Sequence, residues 1–333
     1  MRLSVLDLAH IAPGESVGAA LQGSVELARA AERLGYARVW YAEHHNMATI
    51  ASSATSVLIA HVAAHTETIR LGAGGIMLPN HSPLVIAEQF GTLAELHPGR
   101  IDLGLGRAPG TDQRTWSALR RDIRASERFP EDVVELRGYL AGESVVPGIA
   151  AVPGRGTRVP LTILGSSLFG AQLAAALGLP YAFASHFAPD ALHQAVAVYR
   201  ERFEPSEQLA EPYVIAGINA VVADTRDEAL ALQRQVVRSR VRSILLRDSP
   251  IAQTVGDDEL DALAASPQGA QVAKMVQYTA LGTGEEATAT LRRFQHEADA
   301  DELIMAVQGR TPERVRALEL LAAAGALGDA TGP

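Results

Sequence analysis

The chain has 333 residues, 47% of them hydrophobic and 20% charged, with a formal net charge of −9. Such a chain can bury a large core, as two average domains or as one large barrel, and its acidic balance, without a basic stripe, argues against a nucleic-acid partner. It contains no cysteine, which excludes disulfides, thiolate-zinc sites and a cysteine nucleophile together.

The opening stretch, MRLSVLDLAH, lacks the charged start and long apolar run of a signal peptide. No segment reaches the ~20 apolar residues needed to cross a bilayer, so a cytoplasmic protein without membrane association is expected. Short runs rich in Val, Ile and Leu then recur, each followed by a stretch with helical periodicity. In chain order they are LSVLDL (3–8), RVWYAE (38–43), IRLGAGGIML (69–78), RIDLGLG (100–106), LTILG (161–165), YAFASH (181–186), YVIAGINAVVA (213–223) and ELIMAV (302–307). Between the first two, SVELARAAERLG (24–35) carries one apolar face and ends on Gly35 as a helix stop. At the far end, TPERVRALELLAAAG (311–325) places Thr311 as N-cap, Pro312 at the first helical position and Gly325 at the end.

Alternating strands and helices imply parallel strands with helical crossovers. Eight such units favour a closed (β/α)8 barrel, an α/β fold formed as a single domain over 1–333, rather than an open doubly wound sheet. Two segments exceed a bare barrel's needs: 142–160 after the fourth strand, rich in Gly and Pro, and 247–286 after the seventh. Both are read equally as covers for an active site or as surface padding.

In such a barrel the active site lies at the C-terminal ends of the strands. The second strand ends on Glu43-His44-His45, and the third carries glycines at 72, 74 and 75. Glycine weakens a strand interior, so Gly74 and Gly75 point either to a flat ring approaching the backbone or to a crowded barrel interior. The fourth strand ends in GLGRAPG, with Arg107 between glycines. The fifth runs through Gly165, Ser166 and Ser167 directly into a helix, whose free N–H groups and dipole, with two hydroxyls, suit a phosphate, although the serines could equally serve as ordinary caps. Complete dinucleotide, Walker A and nucleophile-elbow patterns are missing. His61 and His65 are four apart without the intervening Glu of zinc proteases and are read as a packed helix face; no metal site is expected there.

RVWYAEHHN (38–46), the long stretch from Ile69 to Gly110, and ILGSSLFGAQLAAALGLPYAFASHF (163–187) together resemble the bacterial-luciferase-like flavin-dependent monooxygenases, in particular the non-luminescent luciferase family oxidoreductases, over nearly the whole chain. The resemblance implies a (β/α)8 barrel and a two-component enzyme that takes reduced FMN from a separate flavin reductase. With O2 it would oxidise a small organic substrate through a C4a-hydroperoxyflavin. It places the phosphate on Arg107, Ser166, Ser167 and the backbone near Gly165, Phe169 and Gly170, and the flavin ring against a non-prolyl cis peptide at Gly74-Gly75. It makes His44 the proton-handling catalytic residue, with Glu43 or a backbone carbonyl orienting it. It also implies a homodimer, to which small residues on the second and third helices would contribute. One departure limits it: Gly106 stands where luciferases carry a reactive cysteine, which removes the basis for carrying over light emission from long-chain aldehydes. The competing readings are a deazaflavin-dependent dehydrogenase of the same superfamily, a non-catalytic flavin-binding protein, and a metal hydrolase built on His10, His44 and His45.

Overall fold

A computed structural model describes residues 1–108, 112–247, 249, 252 and 254–328. Its strands are β1 (Leu3–Asp7), β2 (Arg38–Tyr41), β3 (Arg70–Met77), β4 (Ile101–Gly106), β5 (Leu161–Gly165), β6 (Tyr181–Phe183), β7 (Val214–Val222), β8 (Thr279–Gly282) and β9 (Glu302–Val307). All pair in parallel, in the order β6-β5-β4-β3-β2-β1-β9-β7, and β6 pairs again with β7. The ring therefore closes on eight strands, and these are the eight expected from the sequence. The ninth, β8, was not expected; it lies against Asn219–Val222 of β7, beyond the stretch that β6 occupies.

Alternation along each strand sends every second side chain into the barrel. Leu6, Trp40, Ala42, Ala182, Ile215 and Ile304, with Leu8, Leu164 and Tyr213 beside them, form a separate cluster that fills the lumen. The floor beneath is ionic. Arg38 donates to Asp102 at 2.9 Å and to Glu302 at 3.1 Å, Tyr213 donates to Glu302 at 2.8 Å, and Arg70 bonds Asp102. Such buried charges are tolerated because each is paired, and they close the lower end so that access is from the strand C-termini.

The glycines of β3 and β4 are explained by this packing. A Cβ on Gly74 would lie 2.9 Å from the Trp40 Cβ, one on Gly75 2.7 Å from the Gly104 carbonyl oxygen, and one on Gly104 2.4 Å from the Ala73 carbonyl oxygen. The peptide between Gly74 and Gly75 is cis, as expected, and the β3–β4 register shifts between Ala73 and Ile76.

The outer helices depart from expectation mainly at their starts. The first runs from Val17 to Leu34, seven residues earlier than its apolar periodicity indicates, because the Ser16 hydroxyl caps it by accepting from the Ala19 N–H; Gly35 ends it with φ 86°. The last spans Thr311–Ala323 with Arg310, not Thr311, in the N-cap position.

The two insertions have different fates. Residues 142–160 run along the flank: Gly154 sits where a Cβ on Gly91 would lie, 2.2 Å from its Cα, and a cleft of about 240 Å³ there is lined by Tyr139, Ser144, Ile149 and Arg155. This segment belongs to the outer wall and not to a cover. The cover over the strand ends comes instead from the helix Gln113–Ala118 with the 3-10 turn Ile123–Arg128, where Trp116 bonds Asn80, and from the far end of the helix Arg226–Ile244 with Asp257–Ala265 and Ala270–Met275, where Arg240 and the Met275 carbonyl bond Asn219. The second group has its own small core of Val241, Val255, Leu260 and Val272. Arg247 donates to Asp112 at 3.3 Å and joins the two halves.

Candidate active site

Two of the sequence-predicted groups meet at the ends of β4 and β5. Arg107 stands over the Phe169 ring, 4.1 Å from its centroid, which orients a guanidinium that would otherwise sweep through solvent. Ser167 is the N-cap of the helix Leu168–Leu177 with extended φ −143° and ψ 161°, and its side chain makes no capping bond. The capping interpretation of this serine therefore fails, and the hydroxyl and first-turn N–H groups remain available to an anion. Gly165 and Gly170 face each other: a Cβ on Gly165 would stand 3.8 Å from the Gly170 Cα. Ser166 lies half-buried on the same turn. Pro109 and Gly110 of the GLGRAPG motif fall outside the described residues.

At the end of β2 the adjacent residues part company, as strand alternation requires. Ala42 faces the lumen, and His44 follows on the same parity, half-buried at the mouth. Glu43 turns the other way and is 1% exposed. Its carboxylate accepts from His45 Nε2 at 2.8 Å, Asn80 Nδ2 at 3.1 Å, His81 Nε2 at 2.9 Å and the Met77 N–H at 3.0 Å. Burial alone would raise its pKa, but the bonds from His45 and His81, the neighbouring His81 ring and the Asn80 bond outweigh it and hold the group down to about 2. The same bond raises the pKa of His45. Glu43 is thus the hub that ties the β2 end to the loop after β3, and Asn80 passes the link on by accepting from Trp116 Nε1 in the cover at 3.1 Å.

The mouth also holds residues that sequence reasoning missed. His186, within the quoted YAFASH run, packs its Nδ1 against Gly217, 2.4 Å from where a Cβ would lie. Burial first, then Arg240 and His44, push its pKa down to about 3, so the ring is neutral. Arg240 arrives from the helix Arg226–Ile244 and donates to Asn219 Oδ1 at 2.8 Å and to the Met275 carbonyl. A helical Arg among many gives no sequence signal; only the tertiary path of that helix brings it to the strand ends.

Other histidines have local partners. The His10 ring Nδ1 lies 3.3 Å from the Thr49 carbonyl oxygen, and His65 Nδ1 lies 2.7 Å from the His61 carbonyl oxygen. Among the described residues no group of three or more His, Cys, Asp or Glu side chains is placed to hold a metal, and no helix is long and apolar enough to cross a membrane.

Comparison with known proteins agrees with this architecture. Residues 1–302 match the family model for luciferase-like monooxygenases. A luciferase-like monooxygenase of Escherichia coli K12 is 48% identical over 307 residues, covering 91% of this chain and 90% of the relative. The N-acetyl-S-alkylcysteine monooxygenase of Bacillus subtilis is 35% identical over 255 residues, covering 74% of this chain and 75% of its own length. Among solved structures, apo-MsnO8 superposes with a TM-score of 0.85 at 33% identity, covering 98% of this chain and 99% of that one.

Proposed function

The chain belongs to the luciferase-like monooxygenase family, and from that premise we propose that it is a two-component, FMN-dependent monooxygenase. It receives reduced FMN from a separate reductase and uses O2 to oxidise a small, mainly apolar organic molecule. The observation that carries this reading is the cradle at the β4 and β5 ends: an oriented Arg107 beside an N-cap whose hydroxyl leaves the helix start unbonded. A dianionic phosphate fits that donor set, and an uncharged ligand would not need it. In this reading Arg107, Ser166, Ser167 and the N–H groups of Phe169 and Gly170 hold the phosphate, with Gly165 giving it close access. The lumen-facing surface at Gly74-Gly75 takes the flat ring system.

Bound reduced flavin supplies the electrons that activate O2. The chain's own residues position, shelter and move protons. His44, on the lumen side of β2, handles the proton near neutral pH, a task suited to imidazole. Glu43 acts as a positioning residue: by fixing His45, Asn80 and His81 it sets the backbone from which His44 projects. In this reading the cover joined by Arg247 and Asp112 serves to limit water at the mouth. A homodimer is part of the same reading, because Val57 (67% exposed) and Val85 (43% exposed) lie on adjacent helices joined by the Ser56–Gln89 bond; light scattering on the purified protein tests it.

The test of function is anaerobic titration with oxidised FMN, reduced FMN and deazaflavin, followed by mixing the best complex with oxygenated buffer. Preference for reduced FMN and O2-dependent turnover with a reductase are expected. Preference for deazaflavin moves the reading to a dehydrogenase, and flavin binding without any reaction with O2 moves it to a silent flavoprotein.

A further inference from the structure

A guanidinium removed from water is stabilised by an opposite charge beside it. The fully buried arginines obey this: Arg38 has Asp102 and Glu302, and Arg314 has Asp7 at 2.6 Å. Arg240 does not. Its partners are two neutral dipoles, Asn219 Oδ1 and the Met275 carbonyl, and no carboxylate among the described residues pairs with it. Burial pulls its pKa down to about 10, which still leaves it cationic at neutral pH.

Its position is fixed from below. The Asn219 Nδ2 group donates to the carbonyls of His186 at 2.7 Å, Met275 at 3.1 Å and Tyr278 at 3.2 Å. The amide therefore cannot flip, and its oxygen must face Arg240. Its bonds to Asn219 and to the Met275 carbonyl seat the guanidinium against β7. Two of its five N–H groups are used in these bonds. Next to it the His186 Nδ1 is buried without a hydrogen-bond partner. The apolar residues Leu8, Leu164 and Ile215 belong to the cluster that fills the lumen, so an apolar body can rest in the barrel while one charged end is held at its mouth.

We propose that Arg240, seated on Asn219 at the barrel mouth, binds the carboxylate of the organic substrate, which makes this an enzyme for small acids with an apolar tail. The inference rests on the proposed monooxygenase reading for the word substrate, but not for the binding itself. The negatively charged pyrimidine edge of a reduced flavin is the other source of an anion at this spot.

Octanoate and octanamide, nearly equal in shape, separate charge from burial. Their affinities are measured by calorimetry on the protein with and without FMN, in the wild type and in Arg240→Met and Arg240→Lys. The acid is expected to bind roughly 10- to 100-fold more tightly than the amide. That preference should vanish in Arg240→Met and return in part in Arg240→Lys, with the affinity for oxidised FMN unchanged in all three. Equal acid and amide binding in the wild type, or a preference that survives Arg240→Met, overturns the proposal. So does a selective loss of reduced-FMN affinity in Arg240→Met with the acid preference intact, which would assign Arg240 to the flavin. If Arg240→Met does not fold, the wild-type comparison and Arg240→Lys decide: an acid preference unaltered in Arg240→Lys despite the lost fork geometry, together with equal binding at high and low salt, also counts against it. Acid preference without any flavin binding would sink the monooxygenase reading while leaving the carboxylate site standing.

Discussion

Replacing Glu43 by Gln tests the hub beneath the mouth. The carboxylate has an ordinary pKa of 4.5 and is held at about 2 in the fold; that difference corresponds to about 3 kcal/mol of preference for the ionised form at neutral pH. The amide removes the charge and also turns one acceptor into a donor facing His45, Asn80, His81 and the Met77 N–H, all of which already donate. Because the folded pKa is depressed, the contribution is complete above the unfolded value and is lost as pH falls toward the folded value. Urea unfolding followed by the fluorescence of Trp40 and Trp116 should show Glu43→Gln destabilised by about 3 kcal/mol at neutral pH. The gap to wild type should narrow as pH falls from about 5 towards 2. A variant within about 0.5 kcal/mol of wild type at pH 7, or two curves that fall in parallel with acid, would refute the assignment of Glu43 as an ionised hub.

Arg107→Ala should weaken FMN binding roughly 10- to 100-fold, the worth of one charge-assisted contact, measured by fluorescence titration. Ser167→Ala should also weaken FMN binding yet leave the melting temperature nearly unchanged, since no capping bond is lost; a capping serine would instead cost about 1 kcal/mol. His44→Gln should retain flavin and lose about 10²- to 10⁴-fold in single-turnover oxygenation rate. The His45 pKa is raised by its bond to Glu43, so its stabilising effect is full below its ordinary value and fades as pH rises through the raised one. His45→Gln should therefore flatten the alkaline side of the stability profile. Gly104→Ala, whose Cβ would fall 2.4 Å from both the Ala73 carbonyl oxygen and Leu164 Cδ1, should cost several kcal/mol or prevent folding, as overpacking against backbone does.

The ring of eight strands was legible because each strand is a dense aliphatic run closed by a polar or glycine-rich turn. The strand Thr279–Gly282 was not, for it is four residues long with Leu281 its one large apolar residue, and it exists through pairing with β7. Arg107, Ser166 and Ser167 could be singled out because strand ends announce their position in a barrel. Arg240 and Asn219 could not: one lies within a 19-residue helix of ordinary amphipathic pattern, the other inside an otherwise apolar strand. The Gly-Pro-rich stretch 142–160 left two readings open, cover or padding. Its composition marks irregular backbone, but not which side of the barrel that backbone occupies, and the close approach of Gly154 to Gly91 settled it on the wall.

The small core of Val241, Val255, Leu260 and Val272 holds the second half of the cover together apart from the main core. Substitutions on that roof are buffered by a local packing unit, so they can alter what enters the mouth without disturbing the strands that carry the proposed anion cradle. Selection can then explore new substrates in one part of the chain while leaving cofactor handling untouched in another. A library confined to 241–275 should accordingly yield folded, flavin-competent variants far more often than an equally dense library in β3 and β4, where a Cβ on Gly72, Gly75 or Gly104 would meet backbone at less than 3 Å.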